Sequence, residues 1–296
     1  MKGIAASLLF TVLLGSSFNI PSAHADNLYA STGQILEFDS SGSQSVFANS
    51  GLNFPEGLAF DSSGNLYVAN AGNNTIEKFN SSGIGSIFAA SGLSLPWGIA
   101  FDGNGNLYVA NPGDNTIEEF NSSGTGSVFT TSGLDEPAGM VFASSGNLYV
   151  ANPGNDTIEE FNSSGTGSVF ATAAAGINNP DGLAYYGSNL YVANHGNSTI
   201  EKFNASGIGS VIAMSSTNSL GVNEPDGLAF DGSGTLYVAN FGDGNILKID
   251  SEGGVSVFAS GFGDAQFLAD EIPEPSSLLL LGLGICTLAF SHHRRR

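Results

Sequence analysis

Five stretches of the chain open on Pro-x-Gly and then repeat one another closely: Pro55-Glu56-Gly57, Pro96-Trp97-Gly98, Pro137-Ala138-Gly139, Pro180-Asp181-Gly182 and Pro225-Asp226-Gly227. The steps between them are 41, 41, 43 and 45 residues. A period of this length means an array of small units, each too small to bury its apolar face alone and each completed by its neighbours. One unit reads Gly57-Leu58-Ala59-Phe60-Asp61, a Ser-Ser-Gly-Asn turn, Leu66-Tyr67-Val68-Ala69-Asn70, a second turn, Thr75-Ile76-Glu77-Lys78-Phe79, a third turn, and Ser86-Ile87-Phe88-Ala89. Short β-rich runs separated by Gly, Asn, Asp and Ser predict four strands and no helix.

In Leu66 to Ala69 the side chains of both parities are apolar or aromatic. A strand with two apolar faces lies between two layers, as the middle of a propeller blade lies between its neighbours. Charge enters at the third strand, as Glu77-Lys78, Glu118-Glu119, Glu159-Glu160 and Glu201-Lys202, which predicts acids near the blade's outer edge, where they oppose edge-to-edge pairing.

The interval from Asp26 to Glu274 is close to six periods long. The first unit, from Asn27, lacks its leading strand, and Gln266-Phe267-Leu268-Ala269-Asp270 resembles that missing strand. A first blade completed from the C-terminal side closes the ring and removes two free edges. The expected fold is therefore all-β, a six-bladed β-propeller of four-stranded blades. A parallel β-helix with two coils per period is the runner-up, but it gives no reason for the displaced strand.

The unit Pro-x-Gly-Leu-Ala-Phe-Asp-x-x-Gly-Asn-Leu-Tyr-Val-Ala-Asn resembles the NHL repeat over nearly all of 27–270 and lacks the Gly-His and Trp-Asp marks of WD repeats. The resemblance implies a propeller; such propellers include interaction modules as well as enzymes. Residues 106–129 and 147–170 are nearly identical, which suits an array better than an enzyme site, whose blades must differ.

The ends read as addresses. Residues 1–25 combine Lys2, an apolar run from Ile4 to Leu14 and Ala23-His24-Ala25, a signal peptide cut after Ala25. Residues 26–270 are the propeller. Residues 271–296 carry Pro273-Glu274-Pro275, a 13-residue apolar run from Leu278 to Phe290, and Arg294-Arg295-Arg296. That run is short of the about 20 residues of a comfortable membrane span. The tail resembles the PEP-CTERM sorting signal of Gram-negative bacteria. The resemblance implies recognition by an exosortase in the inner membrane, transient anchoring there by a short transmembrane helix, and passage to the cell surface or the medium. It also implies a host that makes extracellular polysaccharide.

The charge balance excludes one class of partner. All 27 acids lie between Asp26 and Glu274 with only Lys78, Lys202 and Lys248 among them, so this interval carries 3 − 27 = −24. Such a body repels nucleic acid. The single cysteine, Cys286, permits neither an intrachain disulfide nor a thiolate metal site.

The middle residues of the Pro-x-Gly motifs should open at one mouth of the central channel: Glu56, Trp97, Ala138, Asp181 and Asp226. Three convergent carboxylates have the chemistry to hold Ca²⁺ or another divalent cation. Gluconolactonases and senescence marker protein are six-bladed relatives, and that resemblance implies metal ligands just before the Gly of such strands. It matches Asp181 and Asp226; Glu56 lies one blade late, Gln266 stands in the completing strand, and Asp181 replaces that family's asparagine. As ordinary turn residues the same carboxylates would simply face solvent, and that is the preferred reading. His195 is the only histidine of the body, on a turn with no partner in view, and reads as a tolerated turn residue. Trp97 reads as a cap on the channel. No Gly-x-Ser-x-Gly elbow supports a serine nucleophile. The sequence thus points to an exported, monomeric, non-enzymatic propeller that binds matrix polysaccharide or a surface protein. The alternative is a metal-dependent, lactonase-like hydrolase on Asp181, Asp226 and Glu56.

Overall fold

The computed structural model describes residues 27–215, 221–262 and 266–270. The expected signal peptide with its expected cleavage after Ala25, and the tail with Pro273, Glu274 and Pro275, lie outside these residues. Six four-stranded antiparallel sheets stand around a common axis. Blade 2 runs from the axis outward as Pro55–Phe60, Leu66–Asn70, Thr75–Phe79 and Gly85–Ala89, and blades 3 to 6 repeat that order. Among the described residues the only helix is the single 3₁₀ turn Ala173–Ala175, and none is long and apolar enough to cross a membrane.

Blade 1 is assembled from both ends of the body. Leu268–Asp270 forms its innermost strand beside Leu28–Ser31, with Leu28 opposite Asp270 and Ala30 opposite Leu268. The Ser31 and Gln266 N–H groups donate to the Phe267 and Ser31 carbonyls, each at 3.1 Å, and Ser31 Oγ accepts from the Phe267 N–H. The displaced strand is thus the closure of the ring, as the sequence predicts.

Local chemistry explains the hairpins. In blade 2 the Asp61 carboxylate accepts from the N–H groups of Ser63 and Asn65, both at 2.9 Å. Gly64 supplies the left-handed residue of that turn, at φ +74°. Asn80 does the same for the next hairpin, accepting from Ser82 and Ile84. Between blades, the two faces of each second strand enter different cores. Leu66 and Val68 pack with Tyr29 and Ile35 of blade 1, while Tyr67 and Ala69 pack with Ile99, Leu107 and Val109 of blade 3. Tyr67 also meets Phe88 and Phe101 edge-on, each at 4.9 Å between ring centroids. The phenylalanine ending the third strand of blades 1 to 5, as in Phe79, Phe120 and Phe161, is fully buried, which is worth roughly 1.5–3 kcal/mol apiece.

The third-strand acids depart from expectation. Glu77, Glu118, Glu159 and Glu201 are buried, and burial raises the pKa of each carboxyl. The charge next to each, as in Lys78 or Glu119, faces outward instead. The free edge belongs to the fourth strand, where Ile87, Val128 and Val169 are exposed and no acid stands guard. Alternation along a strand assigns neighbouring residues to opposite faces; it does not say that a loop will cover one of them.

A residue absent from the sequence reasoning secures these loops. The asparagine ending the second strand of blades 2 to 6 is completely buried. Asn70 donates to the Gly51 carbonyl at 2.9 Å and accepts from the Asn53 N–H at 3.0 Å, tying down the chain that enters the blade. Asn111 and Asn152 do the same for Gly92 with Ser94, and for Gly133 with Asp135.

Candidate binding site at the channel mouth

The innermost strands approach the axis so closely that only glycine fits. The Gly57 N–H donates to the Trp97 carbonyl at 3.1 Å, and the Gly139 N–H to that of Asp181 at 3.2 Å. A Cβ on Gly139 would collide with that Asp181 carbonyl, and one on Gly182 with the carbonyl of Asp226. Phe267 takes the sixth glycine's place and is buried; it packs against the Trp97 ring at 6.1 Å. The channel is thereby reduced to a cavity of about 50 Å³. Trp97, read from the sequence as a cap on the channel, lines a separate groove beside the mouth rather than this cavity.

Each Pro-x-Gly that carries an acid is a β-bulge. The register with the second strand jumps from Pro55 to Leu58, from Pro180 to Leu183 and from Pro225 to Leu228. A bulge re-aims the side chain of its extra residue, here Glu56, Asp181 and Asp226. They do not simply face solvent, contrary to the turn-residue reading: Glu56 and Asp226 are each only 6% exposed. Asp181 is partly exposed as a residue, yet its Oδ1 is buried without a hydrogen bond, as is Glu56 Oε2.

Burial, reinforced by the charges of Asp181 and Asp226, pushes the Glu56 carboxyl up to about 8. The Asp181 carboxyl rises to about 7 for the same reason, with the Asp226 charge adding to burial, while the Trp97 indole and His195 pull it back. Asp226 rises to about 7 through burial and then the Glu224 charge. The three acids from blades 2, 5 and 6 therefore feel one another across the mouth. Among the described residues, however, no three His, Cys, Asp or Glu side chains converge tightly enough to hold a metal ion.

His195 is more than a tolerated turn residue. Its Nδ1 lies 2.7 Å from Asp226 Oδ1, and its ring sits 6.1 Å from that of Phe241. The pair spans 31 residues of sequence.

The rim around these acids is formed by the residue before each proline. Phe54, Leu95, Glu136, Asn179 and Glu224 all hold positive φ, between 44° and 53°. For a bulky residue preceding proline this costs on the order of 1–3 kcal/mol and has to be imposed by the surroundings. The preceding blade imposes it. The N–H groups of Leu95, Glu136 and Asn179 donate to Asn74, Asn115 and Asp156 at 2.7, 2.7 and 2.6 Å. The result is apolar display on one side, with Phe54 75% and Leu95 53% exposed, and polar residues on the other. Beside Leu95 a groove of about 380 Å³ runs along Trp97, Pro112, Pro137 and Ala138 to Asp181. The sequence marked these rim positions only by their place before Pro-x-Gly.

With this geometry established, known proteins resolve the two parts of the chain. The NHL repeat family model matches residues 52–79, most of blade 2, and the PEP-CTERM protein-sorting motif matches residues 271–296. The chain carries an NHL repeat and a PEP-CTERM tail. The fold is a six-bladed β-propeller, one blade of which matches the NHL repeat, and the tail matches a sorting signal that characterises exported proteins of Gram-negative bacteria and implies recognition by an exosortase. No curated protein sequence matches the chain closely enough to count as a relative. Among solved structures, a chain of the nidogen/laminin complex is 21% identical, with 84% of this chain and 99% of that one covered at a TM-score of 0.75. A catalytically inactive virginiamycin B lyase from Staphylococcus aureus with quinupristin is 15% identical, covering 84% and 94% at 0.64. A gluconolactonase from Xanthomonas campestris is 18% identical, covering 73% and 79% at 0.63. These likenesses establish the fold alone.

Proposed function

We propose that the protein is a non-enzymatic docking module, displayed or released at the cell surface, which binds a matrix polymer or surface protein on the face around the channel mouth. The observation that carries this reading is the rim. Phe54 and Leu95 both stand out in solvent at positive φ, Leu95 with its N–H held by Asn74 and beside an apolar groove. Exposed apolar groups on a strained, over-determined backbone suit recognition. The PEP-CTERM tail supplies the address, and the near-duplicate blades supply a scaffold rather than a reaction centre. The same fold serves nidogen in a complex with laminin and two enzymes, so the choice rests on the site.

Retention on the cell surface tests it. Phe54→Ser/Leu95→Ser should fold and be exported but leave the cell-surface fraction for the medium. Unchanged retention would refute docking through this face. Lactone hydrolysis that requires added Ca²⁺ and disappears in Asp181→Asn/Asp226→Asn would establish the hydrolase reading in its place.

A further inference from the structure

Blade 5 departs from the repeat at the end of its innermost strand. The residue after that strand's aromatic is an acid in blades 2, 3 and 6, as Asp61, Asp102 and Asp231, and Ala143 in blade 4; in blade 5 it is Tyr186. The hairpin that follows is shorter by one residue. Gly187 and Ser188 turn it at φ +57° and +65°, with Tyr186 paired to Asn189. Positive φ at both central residues is the tight two-residue turn that carries strand pairing out to its end. Tyr186 is thereby held against blade 6, its ring stacked on that of Phe230 at 4.7 Å with 18° between planes, yet it remains 40% exposed. Core packing does not require this stack: Tyr67 meets Phe101 edge-on at 4.9 Å without one, and Tyr191 meets Phe230 edge-on at 4.7 Å beside one. The same change frees a cation. In blade 2, Lys78 lies over the Tyr67 ring and pairs with Asp61 at 3.2 Å. Its counterpart Lys202 lies over the Tyr191 ring at 5.7 Å and, among the described residues, makes no ion pair.

We propose that Tyr186, Lys202 and Asp250 form a binding site for an uncharged sugar ring, separate from the channel mouth and independent of docking there. The three line one pocket of about 230 Å³ between blades 5 and 6, together with Tyr191 and Phe230. It lies at the far end of the blades, since Pro180 pairs with Asn194 at the mouth and Tyr186 with Asn189 at the opposite end of the same two strands. Its size is that of one sugar ring rather than of a peptide. A pyranose has an apolar C–H face, which suits an exposed aromatic platform, and a rim of hydroxyls that both donate and accept. Lys202 brings three donors and no acceptor, and a carboxylate brings acceptors alone. Asp250 Oδ1 holds its own turn by accepting from the N–H groups of Glu252 and Gly254, at 2.9 and 2.8 Å, which leaves Oδ2 for a ligand. The two charges also select. An anion meets Asp250 and a body that carries 3 − 27 = −24, and a cation meets Lys202. A plain aromatic ligand could stack on Tyr186, but it would cover Lys202 and Asp250 without giving either a partner.

The lysines of the chain are Lys2, Lys78, Lys202 and Lys248, so protein labelled with ¹³C-lysine gives few ε-methylene signals in NMR, and the one lost in Lys202→Met belongs to this site. The full chain would be titrated with the methyl glycosides of glucose, galactose, mannose and N-acetylglucosamine, and in parallel with those of glucuronic acid and glucosamine and with phenol. At least one of the uncharged glycosides should shift the Lys202 signal saturably, at a Kd of about 1–10 mM for a single ring, and leave the Lys78 signal in place. Tyr186→Ser should weaken that binding about tenfold, through loss of the stacking platform. No saturable Lys202 shift with any uncharged glycoside, an unchanged Kd in Tyr186→Ser, or tighter binding of the glucuronide, the glucosaminide or phenol would each overturn the proposal. The glycoside comparison uses the unaltered protein, so it decides the matter even where Tyr186→Ser does not fold. Surface retention in Phe54→Ser/Leu95→Ser bears on the mouth alone, so either reading can fail without the other.

Discussion

Replacing Asn70 with alanine should destabilise the propeller by about 2–4 kcal/mol. The side chain is fully buried and satisfies two backbone groups of the entering loop, the Gly51 carbonyl and the Asn53 N–H, and also reaches Thr75 Oγ1 at 3.3 Å. Alanine removes both backbone partners at once. Each lost bond costs about 1 kcal/mol net, rising toward about 1–3 kcal/mol if the stranded group stays dry. For a domain of this size, about 1 kcal/mol moves Tm by roughly 2–4 °C, so the melt should fall by about 4–16 °C. The repeat provides an internal control. At Asn194 the structure records the bond from the Asn178 N–H and one to Thr199, but no glycine carbonyl of the entering loop as acceptor. Asn194→Ala should therefore be milder than Asn70→Ala by about 1 kcal/mol. Calorimetry on wild type and the two variants measures both quantities. Melts that agree within a degree for all three proteins would refute the claim that these asparagines hold the loops.

The mouth acids give the protein a pH signature. Glu56, Asp181 and Asp226 ionise near pH 4 when unfolded but near 7 to 8 in the fold, so the native state keeps protons that the unfolded chain has released. Their contribution must then decline as pH rises from about 4 to about 8; Tm should be higher at pH 5 than at pH 8.5, and Asp181→Asn should flatten that slope. An equal slope in the variant would contradict the assignment; the lowered pKa values of Asp39, Asp61 and Asp231 act below this window and do not obscure it. Deleting residues 266–270 should strip blade 1 of its inner strand, lowering Tm and exposing an edge that invites association. Light scattering that shows an unchanged monomer, with an unchanged melt, would argue that the strand does not close the ring.

Much of the fold is legible in the chain because its determinants are local and repeated. Asp61 and Asn80 build their hairpins from atoms two to four residues away. The two-faced run Leu66-Tyr67-Val68-Ala69 announces a strand between two layers, and the incomplete first unit announces its own completion by Leu268–Asp270. The periodicity also identifies Glu56, Asp181 and Asp226 as equivalent positions. It cannot say that they are buried, because their environment depends on how near to the axis six separate strands are drawn when the ring closes. The same closure seats Phe267 against Trp97, far away in sequence, and brings His195 to Asp226. Loops folding back over the sheet bury Glu77 and its equivalents, which alternation alone places at a solvated edge. Sequence determined which side chains are alike; tertiary structure decided which of them meet, because the contacts at the mouth join blades whose separation is set by the ring and not by the chain.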